Sequence, residues 1–468
     1  MERTRTPDVV TSNSLVLHQY ELGCLSQLSY LIGDRSSGLA VVVDPRRDIA
    51  EYLADADAEG LTITWVIETH FHADFLSGHL ELAEATGATI IYGAGPDTEF
   101  ASRRVADGEV IDLGAVRIEF RATPGHTPES ISVVVTDTSV GSSPAAVLTG
   151  DTLFIGDVGR PDLLASVGVT ADELANSLYD SLHGKLMTLP DDTVVLPAHG
   201  AGSACGKNLS VELSSTIGEQ RRTNYALADM PKERFVEVVT EGQPSAPEYF
   251  VFNAMLNRAD RSLLDEHRPP AMSLDDVLAA QRDGAAVIDT RDAVAFATGH
   301  LRGAINVGLD GRFAEYVGSV VTPDTPIVLV SYPGTDAEAH MRLGRIGFDT
   351  VVGYLADADD ELALRPDLVE RASRLTQREL ADRKETLADL QVIDIRNAGE
   401  VAGGMLDGAR HIPLAELRRR LAELDASAPV VVYCAGGYRS SIAASLLRSA
   451  GFADVSDVLG GYGACQIN

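Results

Sequence analysis

One stretch restricts this chain more than any other: Glu68-Thr-His70-Phe-His72-Ala-Asp74-Phe75-Leu-Ser-Gly-His79. It follows Ile63-Thr-Trp-Val-Ile67, which reads as a short buried strand, and precedes residues 80–85, which read as a helix closed by Gly87. Imidazoles and a carboxylate therefore crowd a strand-to-helix turn, and both are good ligands for iron or zinc. One turn cannot surround an ion, so further donors must come from later loops. Thr123-Pro-Gly-His126, Thr149-Gly-Asp151 and Pro197-Ala-His199-Gly200 each place a donor beside a glycine and just after a strand-like run.

Length and charge narrow the remaining choices. At 468 residues the chain holds about three domains. Its net charge of -31 excludes nucleic acid and anionic membranes as partners, because both need positive protein surface. No signal peptide is expected, and no apolar run approaches the roughly 20 residues that cross a bilayer. The cysteines at 24, 205, 434 and 465 are too sparse for a disulfide framework. The expected compartment is the reducing cytoplasm.

Over residues 1–255 short apolar runs outnumber helices, and the candidate ligands sit at strand ends. Two packed sheets with outer helices fit that pattern. Residues 15–230 resemble the metallo-beta-lactamase superfamily through His70-x-His72-x-Asp74, His126, Asp151 and His199, in that order. The resemblance implies an αββα sandwich with the metal at one edge. Two-metal members carry a histidine where this chain has Phe75, and an aromatic ring cannot bind a second ion. The persulfide dioxygenase branch implies one Fe(II) per chain, held by His70, His126 and Asp151 as a facial triad with open positions. His72, Asp74 and His199 then orient ligands or handle protons. Residues 156–162 and 201–207 also look like that branch. Arg160 is either structural or a partner for an anionic substrate. Cys205 is either a small buried residue or a neighbour of the substrate sulfur.

The second half is a repeat. Residues 249–268 read as a linker with one polar helix, followed by units at 256–370 and 371–468 once that linker is counted with the first. Arg291 and Arg396 lie 105 residues apart, and Ser331 and Cys434 lie 103 apart. Apolar strands alternating with helices imply a parallel sheet covered by helices. In the last unit a strand ends at Cys434-Ala-Gly-Gly-Tyr-Arg439-Ser440 and a helix follows. Unpaired N–H groups at a helix start stabilise negative charge on sulfur, and Gly436 and Gly437 let the loop curl. This resembles the rhodanese family, whose loop from cysteine to arginine carries a persulfide. Arg439 then closes the cradle or holds an outer anion such as sulfite. The middle unit has Ser331-Tyr-Pro-Gly-Thr-Asp336 in that place, without thiol or arginine, and reads as an inactive rhodanese unit.

The expected architecture is therefore α/β and multidomain: the αββα sandwich, then two α/β/α rhodanese-like domains. Fusions of this kind imply oxidation of a small thiol persulfide by O2 to sulfite and free thiol. They also imply sulfur transfer through Cys434, making or using thiosulfate. The alternative is a thioester hydrolase of the glyoxalase II type fused to a rhodanese. The exposed surface of the middle unit leaves a homo-oligomer open.

Overall fold

The computed structural model describes residues 4–10, 12–163 and 168–465. The chain forms two compact units, Met1–Gln243 with Phe250–Leu264, and Pro244–Tyr249 with Asp265–Asn468.

The first unit is built on two six-stranded sheets. One runs, in spatial order, through Leu15–Leu22, Gln27–Asp34, Leu39–Val43, Thr62–Ile67, Thr89–Tyr92 and Arg103–Arg104. The other runs through Ser215–Thr216, Val194–Pro197, Ala146–Gly150, Ile131–Asp137, Val116–Ala122 and Val110–Asp112. Alternate residues explain the layering. Leu15, Leu17, Tyr30, Ile32, Val41 and Val43 meet Ile118, Phe120, Val133, Val135 and Leu148 in one core between the sheets. Their neighbours Val16, Leu31, Val42 and Val66 face outward and are covered with Tyr52 and Leu82 from the helices Ala50–Ala58 and His79–Thr86. Val134, Val147 and Val195 are likewise covered by Leu178, Leu182 and Phe235, from helices Ala171–Gly184 and Lys232–Thr240. Strands buried on both faces need continuous apolar runs, which these are. The result is the αββα sandwich.

The segment that follows departs from the expected linker. Helix Tyr249–Leu256 has the sequence YFVFNAML, which is apolar rather than polar. Residues from 250 onward pack into the first unit. The fully buried Asn257 gives both amide hydrogens to the carbonyls of His72 (2.8 Å) and Phe75 (2.9 Å), and its Oδ1 accepts from the Ser77 N–H (2.9 Å). Arg261 pairs with Glu81 at 2.8 Å. This segment therefore clamps the histidine loop from outside.

The second unit contains two five-stranded parallel sheets with the same strand order. The first is Ala271–Met272, Val351–Leu355, Ile327–Val330, Ala286–Asp289 and Ile305–Asn306. The second is Ser373–Leu375, Val455–Val458, Val430–Tyr433, Gln391–Asp394 and Arg410–His411. The repeat extends to side chains. Arg291 pairs with Asp289 and reaches the carbonyl of Gly299, and Arg396 does the same with Asp394 and Gly404. Each arginine ties the end of a central strand to the loop beside it.

Candidate metal and sulfur-transfer sites

Four loops leave their strands at C-terminal ends and meet in the first unit. Thr62–Ile67 leads into His70, Val116–Ala122 into His126, Ala146–Gly150 into Asp151, and Val194–Pro197 into His199. Gly150 sits at φ +52°, and a Cβ there would lie 2.7 Å from the Thr69 hydroxyl, so only glycine lets these loops close up.

His70, His126 and Asp151 are all buried, and one ligand atom from each lies within 4.8 Å of the others. Each has one polar atom already engaged. The Thr69 hydroxyl donates to Asp44 Oδ2 (2.8 Å), so its oxygen accepts from His70 Nδ1 (3.0 Å). His126 Nδ1 donates to the carbonyl of Arg160 at 2.9 Å. Asp151 Oδ1 accepts from His199 Nδ1 at 2.7 Å. The Nε2 lone pairs and Asp151 Oδ2 are left converging, with His126 Nε2 3.4 Å from that oxygen. His70 Nε2 and Asp151 Oδ2 are buried without a hydrogen-bond partner. Orphaned buried atoms of this kind are costly unless something binds them. Two neutral imidazoles and a carboxylate with occupied outer atoms fit a divalent transition metal. Burial, then the charge of His72, keeps His70 well below the usual histidine range, which favours its ligand form.

His199 lies between two carboxylates, with Nε2 2.7 Å from Asp74 and Nδ1 on Asp151. Burial opposes its charge, but Asp151 and Asp74 outweigh burial and hold its pKa up at about 10. His72 packs its ring 4.1 Å from that of His70 and directs Nε2 to Asp44 (3.0 Å) and Glu68 (3.4 Å). It acts on His70 directly and is also linked to it through Asp44 and Thr69, whose N–H donates to Asp44 Oδ1 at 2.7 Å. Asp44 itself has φ +50°, an uncommon conformation for a non-glycine residue, fixed by these bonds. Phe75 is fully buried with its ring 4.3 Å from that of His72. Cys205 is buried within reach of Asp74 and His199, and burial pushes its thiol well up.

Arg160 is bonded within the protein. It is buried, forks onto Asp162 with two bonds of 2.7 Å, and donates to the carbonyl of Ala204 at 3.1 Å. Its backbone carbonyl orients the candidate ligand His126.

In the second unit Cys434 is buried at the end of Val430–Tyr433 and the start of helix Tyr438–Ser449. The Gly437 N–H points at its sulfur (3.1 Å), with Gly437 at φ +98°. The Ser440 hydroxyl lies 3.7 Å from the sulfur. Gly436 is exposed at the loop tip. The Arg439 guanidinium forks onto Glu400 with bonds of 2.7 and 2.6 Å. The middle unit meets this loop directly. The Tyr438 hydroxyl donates to the carbonyls of Gly308 (2.7 Å) and Asp310 (3.0 Å), and the Tyr316 ring lies 5.5 Å from that of Tyr438. Tyr316 is within electrostatic reach of both Cys434 and Arg439. In the degenerate loop the Ser331 hydroxyl is bonded to Thr290 and Asp336 is neutralised by Arg268. Asp44, Glu68, Asn257, Glu400 and Tyr316 were not singled out from sequence. The Asp44-Pro45 step after a strand was the available signal for the first.

Comparison with known proteins agrees with this architecture. Residues 22–199 match the metallo-beta-lactamase superfamily, and residues 273–357 and 376–467 each match the rhodanese-like domain. The mitochondrial persulfide dioxygenase of Bos taurus is 32% identical over 49% of this chain and 82% of its own length. That of Homo sapiens is 33% identical over 45% of this chain and 75% of its own length. A crystal structure described as a metallo-beta-lactamase from Staphylococcus aureus superposes with a TM-score of 0.67 at 33% identity, over 73% of this chain and 99% of that one.

Proposed function

From the premise that the chain belongs to the metallo-beta-lactamase superfamily and continues into two rhodanese-like domains, we propose that it is an iron(II) persulfide dioxygenase coupled to a sulfurtransferase. The net reaction is RSSH + O2 + H2O → RSH + sulfite + 2 H+. The observation that carries this reading is the convergence of His70, His126 and Asp151, in a sequence with Phe75 where two-metal relatives carry a histidine. Iron(II), when bound by those three residues, supplies the redox chemistry between oxygen and the terminal sulfur.

The chain's own residues hold that arrangement. Thr69 and the Arg160 carbonyl fix both imidazole tautomers, and His199, braced by Asp74, fixes the Asp151 carboxylate. Burial of the cluster excludes water that would compete for the same atoms. At the second site Cys434 carries sulfane sulfur as Cys–S–S−. Attack by sulfite on the outer sulfur gives thiosulfate and returns the thiolate, and the reverse attack loads the cysteine. The Gly437 amide supports negative charge on the Cys434 sulfur.

The test is Asp151→Ala. It removes one metal ligand and the anchor for His199, so bound iron and oxygen uptake fall together while sulfur transfer through Cys434 continues. Retained iron with full oxygen uptake refutes the assignment.

A further inference from the structure

Cys434 is joined to a buried carboxylate through one hydroxyl. The thiol donates to Ser440 Oγ (3.7 Å), and the Ser440 hydroxyl donates to Asp457 Oδ2 (3.4 Å). Asp457 is buried on strand Val455–Val458. The Arg374 guanidinium, from the edge strand Ser373–Leu375, holds both of its oxygens, with Nε 3.1 Å from Oδ1 and Nη2 3.1 Å from Oδ2. Arg374 Nη2 also donates, at 3.4 Å, to the carbonyl of Gly437, the residue whose N–H points at the sulfur. One arginine therefore fixes both the carboxylate and the loop. Burial pushes the Asp457 carboxyl up, against the opposing charges of Arg374 and, from helix Tyr438–Ser449, Arg448. Arg439, paired with Glu400, and Tyr316 also act on the sulfur electrostatically.

The repeat isolates this set of residues. Six positions after Cys434 stands Ser440, and six after Ser331 stands Ala337. The register that pairs Arg374 with Asp457 pairs Ala271 with Tyr354 in the middle unit. The Asp–Arg pairs that brace the central strands, Asp289 with Arg291 and Asp394 with Arg396, are present in both units. The unit without a thiol thus keeps the bracing pair and lacks the hydroxyl, the carboxylate and the guanidinium together. A purely structural trio has no reason to follow the thiol.

We propose that Ser440 and Asp457 form a proton relay for Cys434, with Arg374 holding Asp457 in place. The inference rests on the sulfur-transfer reading above. On loading, Cys434 Sγ attacks the outer sulfur of thiosulfate; the new Sγ–S bond forms as the S–S bond of thiosulfate breaks. The thiol proton passes to Ser440 Oγ while the Ser440 proton passes to Asp457 Oδ2. Cys434–SH, the Asp457 carboxylate and thiosulfate thereby become Cys434–S–S−, the Asp457 carboxylic acid and sulfite, with charge and electrons balanced. When sulfite or a thiolate removes the outer sulfur, the same proton returns to Cys434 Sγ, the leaving atom. Ser440 touches the reacting sulfur, and Asp457 acts through it as a positioning residue.

The pH profile of the full chain tests this in two ways. One is single-turnover sulfite release from thiosulfate. The other is alkylation by iodoacetamide, quantified on the peptide that contains Cys434. Ser440→Ala changes no charge and should slow both by about tenfold near pH 6 and by less than about twofold near pH 9, where hydroxide takes the thiol proton instead. Ser440→Thr keeps a hydroxyl and should restore the profile. Asp457→Asn should give the same loss near pH 6. Removing a nearby negative charge would by electrostatics alone favour the thiolate, so a loss there reports the relay. Equal slowing at both pH values, or no slowing near pH 6 in folded Ser440→Ala, overturns the proposal. A protein that releases no sulfite from thiosulfate but shows this alkylation profile refutes the sulfur-transfer reading and keeps the relay.

Discussion

Replacing Asn257 by alanine should loosen the metal loop without touching a ligand. The side chain makes three buried bonds, to the carbonyls of His72 and Phe75 and from the N–H of Ser77. Each such bond contributes about 1 kcal/mol net, and the buried groups left behind add a desolvation cost of similar size unless water replaces the amide. The sum is about 3–4 kcal/mol. For a unit of this size that lowers the melting temperature by roughly 10 °C. The same bonds hold the stretch between His70 and Ser77 in shape, so metal affinity should drop by about tenfold to a hundredfold, as when ligand-supporting groups are removed. Thermal scanning and competition with a chelator give both numbers. Asn257→Asp is the informative control. It keeps an acceptor for Ser77 but sets a carboxylate against two carbonyls, so it should do at least as much harm. A shift under about 3 °C with unchanged metal retention would show that residues 250–264 are the passive linker their position suggests.

Cys434→Ser should abolish sulfur transfer and leave oxygen uptake with a persulfide intact, measured side by side on one preparation. Tyr316→Phe removes a hydroxyl that the middle unit holds near Cys434, and should raise KM for thiosulfate by about fivefold, the value of one hydrogen bond, with little change in stability. The buried His300 is held down at about 4 by burial, with Arg448 and Arg291 adding like charge. Its folded pKa lies below the unfolded value of 6.5, so the folded form is favoured above pH 6.5 and loses that advantage as pH falls toward 4. Urea midpoints at pH 7.5 and pH 5 should show a loss of about 2 kcal/mol that His300→Gln removes.

Much of the first site was legible because its ligands obey a local rule. His70, His126, Asp151 and His199 each stand just past an apolar run, beside glycine or within a short motif, and strand ends are where an α/β fold exposes functional groups. The sandwich and the repeat were legible for the same reason, since apolar spacing and the constant offset between Arg291 and Arg396 are local patterns. What escaped depends on long-range contact. Asn257 acts on residues about 180 positions earlier, and nothing around it differs from an ordinary helix end. The helix before it, YFVFNAML, is apolar rather than the polar linker helix expected and has a face to bury. His72 packs against His70, and its Nε2 partners Asp44 and Glu68 come from outside its own short motif or are not expected there. Arg439 has a partner that its own loop does not reveal. Its place in the loop fits closing the cradle or holding an outer anion, and Glu400 from a separate segment pairs with its guanidinium. The missing cysteine makes the middle unit read as inactive, and no local pattern reveals that its Tyr316 and its loop carbonyls meet Tyr438 of the intact loop.

The most direct measurement combines metal content with oxygen consumption. Protein purified without air is assayed for iron and zinc, then given glutathione persulfide, coenzyme A persulfide and an acyl thioester in turn. About one iron per chain, with oxygen uptake and sulfite release from a persulfide and no thioester cleavage, is the predicted result. An iron-loaded protein that takes up no oxygen with either persulfide but cleaves the thioester would contradict the account and make the first domain a hydrolase.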